Sequence, residues 1–583
     1  MRQPEELDDS ASWVRFRRRG VYVNLPRVSE PSWVFRVSRA ALLGLWVISL
    51  LLLLAGLGRP VAQRTQEARV LETAREMCAS TGWRQWMIPK LNGDVRLAKP
   101  PLAYWAAAGG FRLFGVNEFA GRLPFALAGW LTIAVLYRFG RGLFDRRFGV
   151  LSAGILATSY MFFRHFRLAE TDSLAGLFVA AAMYWFWRGS AREASRRTSV
   201  LAFNLAGAAV GLAVLAKGPP GVFPVLFFIV WVIVERNWGA LRRFAISGGP
   251  VTAAVVAGWW FLYARTSPDA HVLIDEMKVV TAGEDHVGPF YEYFPWLLRA
   301  TAPWSGLFVL GLIWAIRDWR ASAAGRAALI WVGVILIPLC CIGNKQDHYL
   351  VPLAPGLAML GALAVYRGWT TDERDARAVA WVMGITVGLM ALAPVGVFWM
   401  ARHSRGSVGP LDFGVMGLII LAATITAVVW RARGLGAGVA ALIAGLGVGF
   451  AVMIGYWIPS LQGVSHRTAA ATLRGSFGDR PYVFYAKDPS FPLIWNLRTV
   501  VPCLPTAAEL EQALAARPTT VVIAQTKNNR PPPPIPSGLT EAAHFDIGDE
   551  KMTLRVYVKV DQLRPPAKSL NRIRFKALGA RVR

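Results

Sequence analysis

The residues that could perform chemistry in this 583-residue chain are carboxylates and cations placed just beyond the ends of apolar runs. The carboxylates are Glu67 in TQEARVLETAREM and the pair Glu170 and Asp172 in RHFRLAETD. A positioned carboxylate can take a proton from a hydroxyl group, so these three residues are the catalytic candidates. Asp172 also begins an apolar run, where an acidic side chain could simply cap a helix N-terminus.

Cationic side chains occur at comparable positions. Cations can bind a phosphate and stabilise the negative charge that develops as it leaves. A lysine at the end of an apolar run can equally do no more than reach toward lipid head groups or cap a helix C-terminus. The candidates for phosphate binding are Arg69, Lys99, Arg167, Lys217 and Lys345.

The composition is that of a membrane protein. The chain is 54% hydrophobic and 17% charged, whereas soluble proteins contain about 45–50% apolar and about 25% charged residues. A net charge of +28 would suit nucleic acid. However, the arginines form short clusters between apolar runs, where the positive-inside rule expects them. We therefore expect membrane lipids, and no nucleic acid, as partners.

Apolar runs that could cross a bilayer recur from residue 40 to residue 458, and each crossing needs about 20 mostly apolar residues. About thirteen spans are predicted, at 40–58, 123–137, 148–163, 173–187, 199–216, 220–234, 245–263, 301–316, 327–343, 349–366, 378–400, 411–430 and 435–458. Basic short loops place the N-terminal segment 1–39 in the cytoplasm. An odd number of spans then places the C-terminal segment outside.

This topology brings the unusual polar segments to one face. Glu67 and Lys99 lie in the first outer loop (59–122), Asp172 in the second and Lys217 in the third. Ionisable groups near membrane depth usually face a cavity or a partner. We therefore expect one polar cavity that opens to the outer water layer. Its residues suit transfer of a group from a phosphate-bearing lipid donor to an acceptor hydroxyl.

The segment 459–559 differs from the rest of the chain. Its apolar runs shorten to strand length in YVFYA, TVVIA and LRVYVKV, with a helix-like TAAELEQALAA between them. This pattern predicts a small α/β domain on the outer, periplasmic face. The basic tail 560–583 is predicted to be disordered. The four cysteines have no metal-ligand spacing.

In combination, these motifs resemble those of the GT-C membrane glycosyltransferases related to lipid A aminoarabinose transferases and protein O-mannosyltransferases, a family 39-like group. The matching text includes EARVLETAREM, KLNGDVRLAKPPLAYW, RLAETD, GLAVLAKGP, HVGPFYEYFPWL and KQDHYLVPLAPGLAMLGA, strongest over residues 38–370. The resemblance implies an all-α polytopic GT-C fold with about thirteen transmembrane helices in the bacterial inner membrane. It also implies transfer of a pentose or hexose from a polyprenyl-phosphate donor to a lipid A-like lipid, protein or envelope glycan.

The resemblance assigns residues unevenly. Asp172 matches the family's second-loop acid, and the lysines of its K-P-P and K-G-P motifs match Lys99 and Lys217. The resemblance adds two substrate- or phosphate-binding assignments, His286 before G-P-F and Tyr349 after the ninth span, and it supports Lys345, which matches the family's Lys at the end of that span.

Three positions, two in the first loop and one before K-P-P, depart from the family pattern. The first loop of family members usually reads D-E-x-R-Y, with the Asp regarded as the catalytic base, but here Gln66 and Val70 replace the Asp and the Tyr. The acid before K-P-P, associated with metal or substrate binding, is Ala98 here. We expect a rearranged acid pair. A divalent metal is the only cofactor considered, and the presence of Gln66 and Ala98 in place of acidic residues makes its binding less expected. A degenerate, non-catalytic paralogue is the alternative.

Two further function classes compete with the enzyme. A transporter or flippase of lipid-linked sugars could use the same polar cavity for passage, but transporters more often show repeated halves with broken helices near mid-membrane. No such repeat is evident in the sequence. The other class is a non-catalytic binder of lipid-linked sugars.

Overall fold

The computed structural model describes residues 13–18, 21–26, 39–275, 288–370, 373–461, 464–486, 489–527, 534–547 and 552–559. His286 and the tail 560–583 lie outside the described residues. Two short strands, β1 (Trp13–Arg18) and β2 (Val21–Pro26), pair antiparallel ahead of the first helix. Helices follow as far as Leu461, and a sheet with flanking helices completes the described chain.

The helices of the first and larger part differ widely in length. They are α1 (Arg39–Leu54), α2 (Thr65–Ala79), α3 (Arg84–Met87), α4 (Leu102–Phe114), α5 (Glu118–Leu143), α6 (Arg146–Ala157), α7 (Tyr160–His165), α8 (Thr171–Ser190), α9 (Arg196–Lys217), α10 (Phe223–Glu235), α11 (Trp238–Ile246), α12 (Gly249–Thr266), α13 (Tyr293–Ala300), α14 (Ser305–Arg317), α15 (Ala323–Cys341), α16 (Ala354–Thr370), α17 (Glu373–Arg405), α18 (Pro410–Arg433), α19 (Leu435–Val452) and α20 (Ile458–Leu461). A two-stranded ribbon of β3 (Lys90–Leu91) and β4 (Asp94–Val95) lies between α3 and α4.

Judged by the length and hydropathy of its helices, the structure has fewer candidate membrane spans than the sequence predicted. Within the described residues, seven helices are long and apolar enough to cross a bilayer. Two bent pairs, Trp238–Thr266 with a bend of 53° and Phe290–Arg317 with a bend of 119°, raise the number to nine. Part of the difference from thirteen lies in shorter apolar helices such as Leu42–Leu54 and Pro219–Glu235, because their apolar runs end before a full span is reached.

Small residues let α9 pack closely against its neighbours. A Cβ atom on Gly207 would lie 2.0 Å from the carbonyl oxygen of Gly249 in α12, and one on Gly211 would lie 2.7 Å from Val256 Cβ. Such close approach of backbones is the usual way in which helices associate where lipid removes the hydrophobic driving force. The packing fixes the end of α9, and therefore Lys217, relative to the rest of the bundle.

The local sequence fixes the two helix ends that carry Asp172 and Lys217. The α8 helix begins at Thr171, so Asp172 lies in its first turn. The α9 helix ends at Lys217, because Gly218 adopts a positive φ of 87° and two prolines follow. Since α8 and α9 are antiparallel neighbours joined by a short loop, the start of one helix meets the end of the other.

The described chain after residue 464 forms a four-stranded sheet with helices on its faces, here called the C-terminal unit (residues 464–559). Its elements are α21 (His466–Phe477), β5 (Tyr482–Tyr485), α22 (Phe491–Leu497), α23 (Ala507–Ala516), β6 (Val521–Lys527), β7 (Leu539–Ile547) and β8 (Met552–Lys559). The strand order is β5-β6-β8-β7, with β5 and β6 parallel and the other pairs antiparallel. Apolar side chains cover both faces of the sheet.

The C-terminal unit packs on the segment 59–122. The side chain of Asn92, between β3 and β4, donates to the carbonyl of Val501 at 2.7 Å and accepts from its N–H at 2.8 Å. Glu118 accepts a hydrogen bond from Arg467 at 2.6 Å. These contacts hold the sheet at the end of the bundle from which α2 emerges.

Candidate functional site

Asp172 and Lys217 form the centre of a buried ion cluster. Their side chains are only 3% and 4% exposed, and Lys217 Nζ donates a hydrogen bond to Asp172 Oδ1. The same Nζ lies 4.3 Å from the centre of the Tyr349 ring, a cation–π distance. The structure therefore brings together three residues from the start of α8, the end of α9 and the segment before α16.

His348 approaches the second oxygen of the Asp172 carboxylate. Its Nε2 lies 3.9 Å from Oδ2, which is too long for a hydrogen bond but close enough for electrostatic attraction. Its Nδ1 lies 3.6 Å from Asp347 Oδ1. Lys99, which is half-buried, adds positive potential at Asp172. Asp172 is thus surrounded by Lys217, Lys99 and His348, and each of its oxygens accepts one hydrogen bond, Oδ1 from Lys217 and Oδ2 from the Thr171 hydroxyl at 3.3 Å.

Glu170 belongs to a neighbouring network. It is 2% exposed and accepts a hydrogen bond from His165 at 2.7 Å. Arg64 lies 3.1 Å from Glu170 and 3.6 Å from Asp347, so its guanidinium bridges the two carboxylates. Sequence analysis did not identify Arg64 or His165. Their only local signal is position, directly before the TQE motif and within RHFRLAETD.

Glu67 points to a different partner. Arg122 in α5 donates to both of its carboxylate oxygens, at 2.7 and 2.9 Å, and the N–H of Ala169 donates to Oε1 at 3.1 Å. Arg122 also donates to two backbone carbonyls near the end of α1. Glu67 therefore joins α2, α5 and the segment before α8, and both of its oxygens are occupied within the protein.

Two of the predicted cations cap helices. Arg167 donates to the carbonyls of Leu52, Leu53 and Ala55 at the end of α1, at 2.8, 2.7 and 2.5 Å. Lys345 donates to carbonyls in the last turn of α15 and just beyond it. For Lys345, this is the helix-capping alternative that the sequence left open. The cation stabilises carbonyl groups that have no partner within the helix.

Arg69 faces the C-terminal unit, with its guanidinium carbon 4.8 Å from the centre of the Phe491 ring. His286, which the resemblance assigned to substrate binding, lies outside the described residues. Of the predicted cations and Tyr349, the structure thus gathers Lys99, Lys217 and Tyr349 around Asp172.

The residues present do not fit a divalent metal where the resemblance implies one. Ala98 has no donor atom, and the amide nitrogen of Gln66 donates to Gln346 Oε1 at 2.9 Å. In the described part of the chain, no group of three or more His, Cys, Asp or Glu side chains could hold a metal ion. We derive no step through a metal, and the metal dependence stays a sequence-based prediction.

Comparison with known proteins places this geometry in a family. The family model described as dolichyl-phosphate-mannose-protein mannosyltransferase matches residues 98–261. The chain is 30% identical over 391 residues to an undecaprenyl phosphate-alpha-4-amino-4-deoxy-L-arabinose arabinosyl transferase of Aeromonas salmonicida, covering 64% of this chain and 70% of that relative. The chain belongs to the GT-C membrane glycosyltransferase family. The resemblance read from the motifs is thereby confirmed.

Other relatives match over less of their length. A protein of Aquifex aeolicus without an assigned function is 29% identical over 54% of this chain and 61% of its own length. The arabinosyl transferase of Edwardsiella ictaluri is 29% identical over 60% of this chain and 66% of its own length. The chain thus spans slightly under two thirds of these two relatives.

The GT-C fold is also found in solved structures. ArnT from Cupriavidus metallidurans in the apo state superposes with a TM-score of 0.71 at 20% identity, covering 91% of this chain and all of that one. ArnT bound to undecaprenyl phosphate gives a TM-score of 0.70 with the same coverage. The predicted helical GT-C architecture is therefore confirmed at the level of the fold.

Proposed function

We propose that this GT-C family member transfers a pentose or hexose from a polyprenyl-phosphate-linked donor to a hydroxyl or phosphate acceptor. The acceptor would be a lipid A-like lipid, a protein or an envelope glycan on the outer face of the bacterial cytoplasmic membrane. The observation that carries the proposal is the buried Asp172 carboxylate, with Lys217 bonded to one oxygen and His348 facing the other.

The donor phosphate would bind at the cations around Asp172. Lys217 and Lys99 supply charge that can pair with phosphate oxygens, and His348 adds an imidazole N–H donor. The arabinosyl transferases among the relatives carry undecaprenyl phosphate in their names, and ArnT from Cupriavidus metallidurans was solved bound to that lipid. These facts support a polyprenyl-phosphate donor.

In the proposed reaction, the acceptor oxygen attacks the anomeric carbon of the sugar. The bond from that carbon to the phosphate oxygen breaks, and its electron pair leaves with the polyprenyl phosphate. A hydroxyl acceptor gives its proton to Asp172 Oδ2. This oxygen accepts one hydrogen bond, from the Thr171 hydroxyl at 3.3 Å, and lies too far from His348 for another, so its second lone pair is available. The cations that hold the phosphate stabilise the charge it gains.

We assign Glu67 and Glu170 supporting roles in this reaction. Both oxygens of Glu67 accept hydrogen bonds from Arg122, and Glu170 accepts one from His165 and lies 3.1 Å from Arg64, so protonation of either carboxylate would weaken a buried ion pair. Arg167 and Lys345 would position α1 and α15 rather than bind substrate. Tyr349 would hold Lys217 in place through its ring.

The proposed topology has thirteen spans within residues 40–458, with the N-terminus in the cytoplasm. The C-terminal unit would be a small periplasmic α/β domain. In support of this count, every predicted span overlaps a helix of the described structure, including the shorter helices α1, α6 and α10. With thirteen spans, the site and the C-terminal unit share the outer side, which agrees with the packing of that unit on the first outer loop.

The test is to incubate the purified chain with a polyprenyl-phosphate sugar and a candidate acceptor and to measure released polyprenyl phosphate. We expect release that depends on acceptor and is lost in Asp172→Asn. The transporter alternative predicts something different, namely movement of intact lipid-linked sugar across vesicles without release. Transport of that kind, with no released polyprenyl phosphate for any donor, would overturn the proposal.

A further inference from the structure

A cavity of about 670 Å³ lies within the C-terminal unit, away from the Asp172 cluster. Its walls come from the ends of α21 and α23, the start of β5 and β6, and the loop Thr499–Leu504. Ligand pockets for small molecules usually measure about 300–1,000 Å³. The cavity is thus large enough for two sugar rings, and no step of the proposed reaction uses it.

The rim of this cavity is positively charged. Arg474, Arg480 and Arg517 line it, against one acidic residue, Asp479. Arg474 and Arg517 are exposed, and neither forms an ion pair with another residue that the structure describes. Guanidinium groups bind phosphate through two parallel hydrogen bonds, which makes arginine well suited to phosphate recognition.

The floor of the cavity is rigid and partly apolar. The Tyr482 side chain is buried, and its hydroxyl donates to the carbonyls of Leu473 at 3.2 Å and Gly478 at 3.1 Å. Burial raises the pKa of this phenol, so the hydroxyl stays protonated. Val483 and Leu504 add apolar surface. An apolar floor under a polar rim suits a sugar, whose ring faces are apolar and whose edges carry hydroxyl groups.

One wall of the cavity is attached to the first outer loop. Val501, in the wall loop, exchanges two hydrogen bonds with Asn92, whose N–H donates to Glu76 of α2 at 2.5 Å. Close packing adds to this contact, since a Cβ atom on Gly93 would lie 3.3 Å from Val500 Cγ1. A ligand in the cavity would therefore be held at a fixed place relative to α2, which begins beside the Asp172 cluster.

We infer that this cavity is a second binding site, for a saccharide whose rings carry phosphate groups. The arginines at the rim take the phosphates, and the floor at Tyr482 takes a ring face. The carbonyl ends of α21 and α23 converge here and can accept hydrogen bonds from sugar hydroxyls. The site is separate from Asp172, so its occupancy does not depend on the proposed transfer reaction.

The test measures binding to the full chain in detergent, without any donor, by calorimetric titration. The probe is a bisphosphorylated glucosamine disaccharide, with the unphosphorylated disaccharide and inorganic phosphate as comparisons. We expect the bisphosphorylated disaccharide to bind most tightly of the three. Arg474→Ala and Arg517→Ala should each weaken its binding about five- to tenfold, because each removes a charge-assisted contact to phosphate.

Two controls make the result decisive. Arg555→Ala removes a cation of the same unit that is paired with Glu541 at 2.9 Å and does not line the cavity, so it should leave binding unchanged. Ala516→Trp places a bulky side chain on the lining of the cavity without changing its charge and should weaken binding. The inference is wrong if inorganic phosphate binds as tightly as the disaccharide, if phosphate groups on the disaccharide add nothing, or if the cavity variants bind like wild type.

Discussion

Glu67 and Arg122 form a buried bidentate ion pair, with hydrogen bonds of 2.7 and 2.9 Å and both side chains 1% exposed. The pair connects the start of α2 to α5. Because a buried charge is costly without its partner, the pair holds the two helices in one relative position. We therefore treat Glu67 as a positioning residue beside the reacting groups.

Replacing Glu67 by Gln should lower stability. The change leaves Arg122 charged and buried without its partner, which costs about 3–5 kcal/mol in comparable cases. We expect a lower yield of folded protein and a lower Tm, measured by thermal unfolding in detergent. The double variant Glu67→Leu with Arg122→Met removes both charges and should recover much of the stability and turnover. A stable double variant with no turnover would indicate that Glu67 takes part in the reaction itself.

Asp172→Asn should reduce turnover about 10²–10⁴-fold, the usual contribution of a positioned general base. The measurement is release of polyprenyl phosphate from the donor. A matched control is Asp412→Asn, since Asp412 is also buried and bonded to a cation, Arg405, but lies on α18. That variant should change stability with little change in turnover. If Asp172→Asn turns over as fast as wild type, Asp172 is not the general base.

Lys217→Ala and Lys345→Ala should separate binding from stability. Lys217 contacts Asp172 and Tyr349, so its loss should weaken donor binding at least about tenfold, measured by titration with a polyprenyl phosphate. Lys345 caps the end of α15, so its loss should lower stability by about 1–2 kcal/mol while donor affinity stays close to wild type. The opposite pattern would place Lys345, and not Lys217, at the phosphate.

The C-terminal unit should lose stability at mildly acidic pH through His466. Its imidazole is fully buried in α21, and burial lowers its pKa from 6.5 to about 4. The unfolded chain therefore binds the proton more readily than the folded chain does between these values. Stability should be constant above about pH 6.5 and fall by up to about 1.4 kcal/mol per pH unit as the pH drops toward 4.

Hydrogen exchange of residues 466–477 at pH 7.5, 6.0 and 5.0 would measure this loss. His466→Gln carries no titrating group and should flatten the dependence between pH 6.5 and 5. His544→Gln, at an exposed position on β7, is the control and should keep the slope. A slope that is the same in His466→Gln and wild type would assign it to other groups.

Much of the architecture could be predicted because it follows from local patterns. The start of α8 at TDS and the end of α9 at K-G-P-P depend on residues within a few positions of each other. The same is true of the strands at YVFYA, TVVIA and LRVYVKV, which became β5, β6 and β8. The antiparallel neighbours α8 and α9 then bring Asp172 to Lys217 with little help from the rest of the fold.

The sequence could not predict which groups pair with the remaining polar side chains. Glu67 meets Arg122 across 55 residues, and Arg167 reaches the end of α1 across 115 residues. Nothing in either motif marks its partner. Lys345 had two acceptable roles from its sequence position, and only the direction of its side chain, toward the carbonyls of α15, distinguishes them.

The sequence by itself determined where α8 begins, where α9 ends and where the strands β5, β6 and β8 lie, because hydrophobic periodicity and capping act over short stretches of chain. Only the tertiary structure decided which ionisable groups pair. Burial forces every charge to find a partner, and the partner is whichever group the packing of distant helices brings within about 3 Å. In this protein the packing pairs Glu67 with Arg122 and places Asp172 among cations.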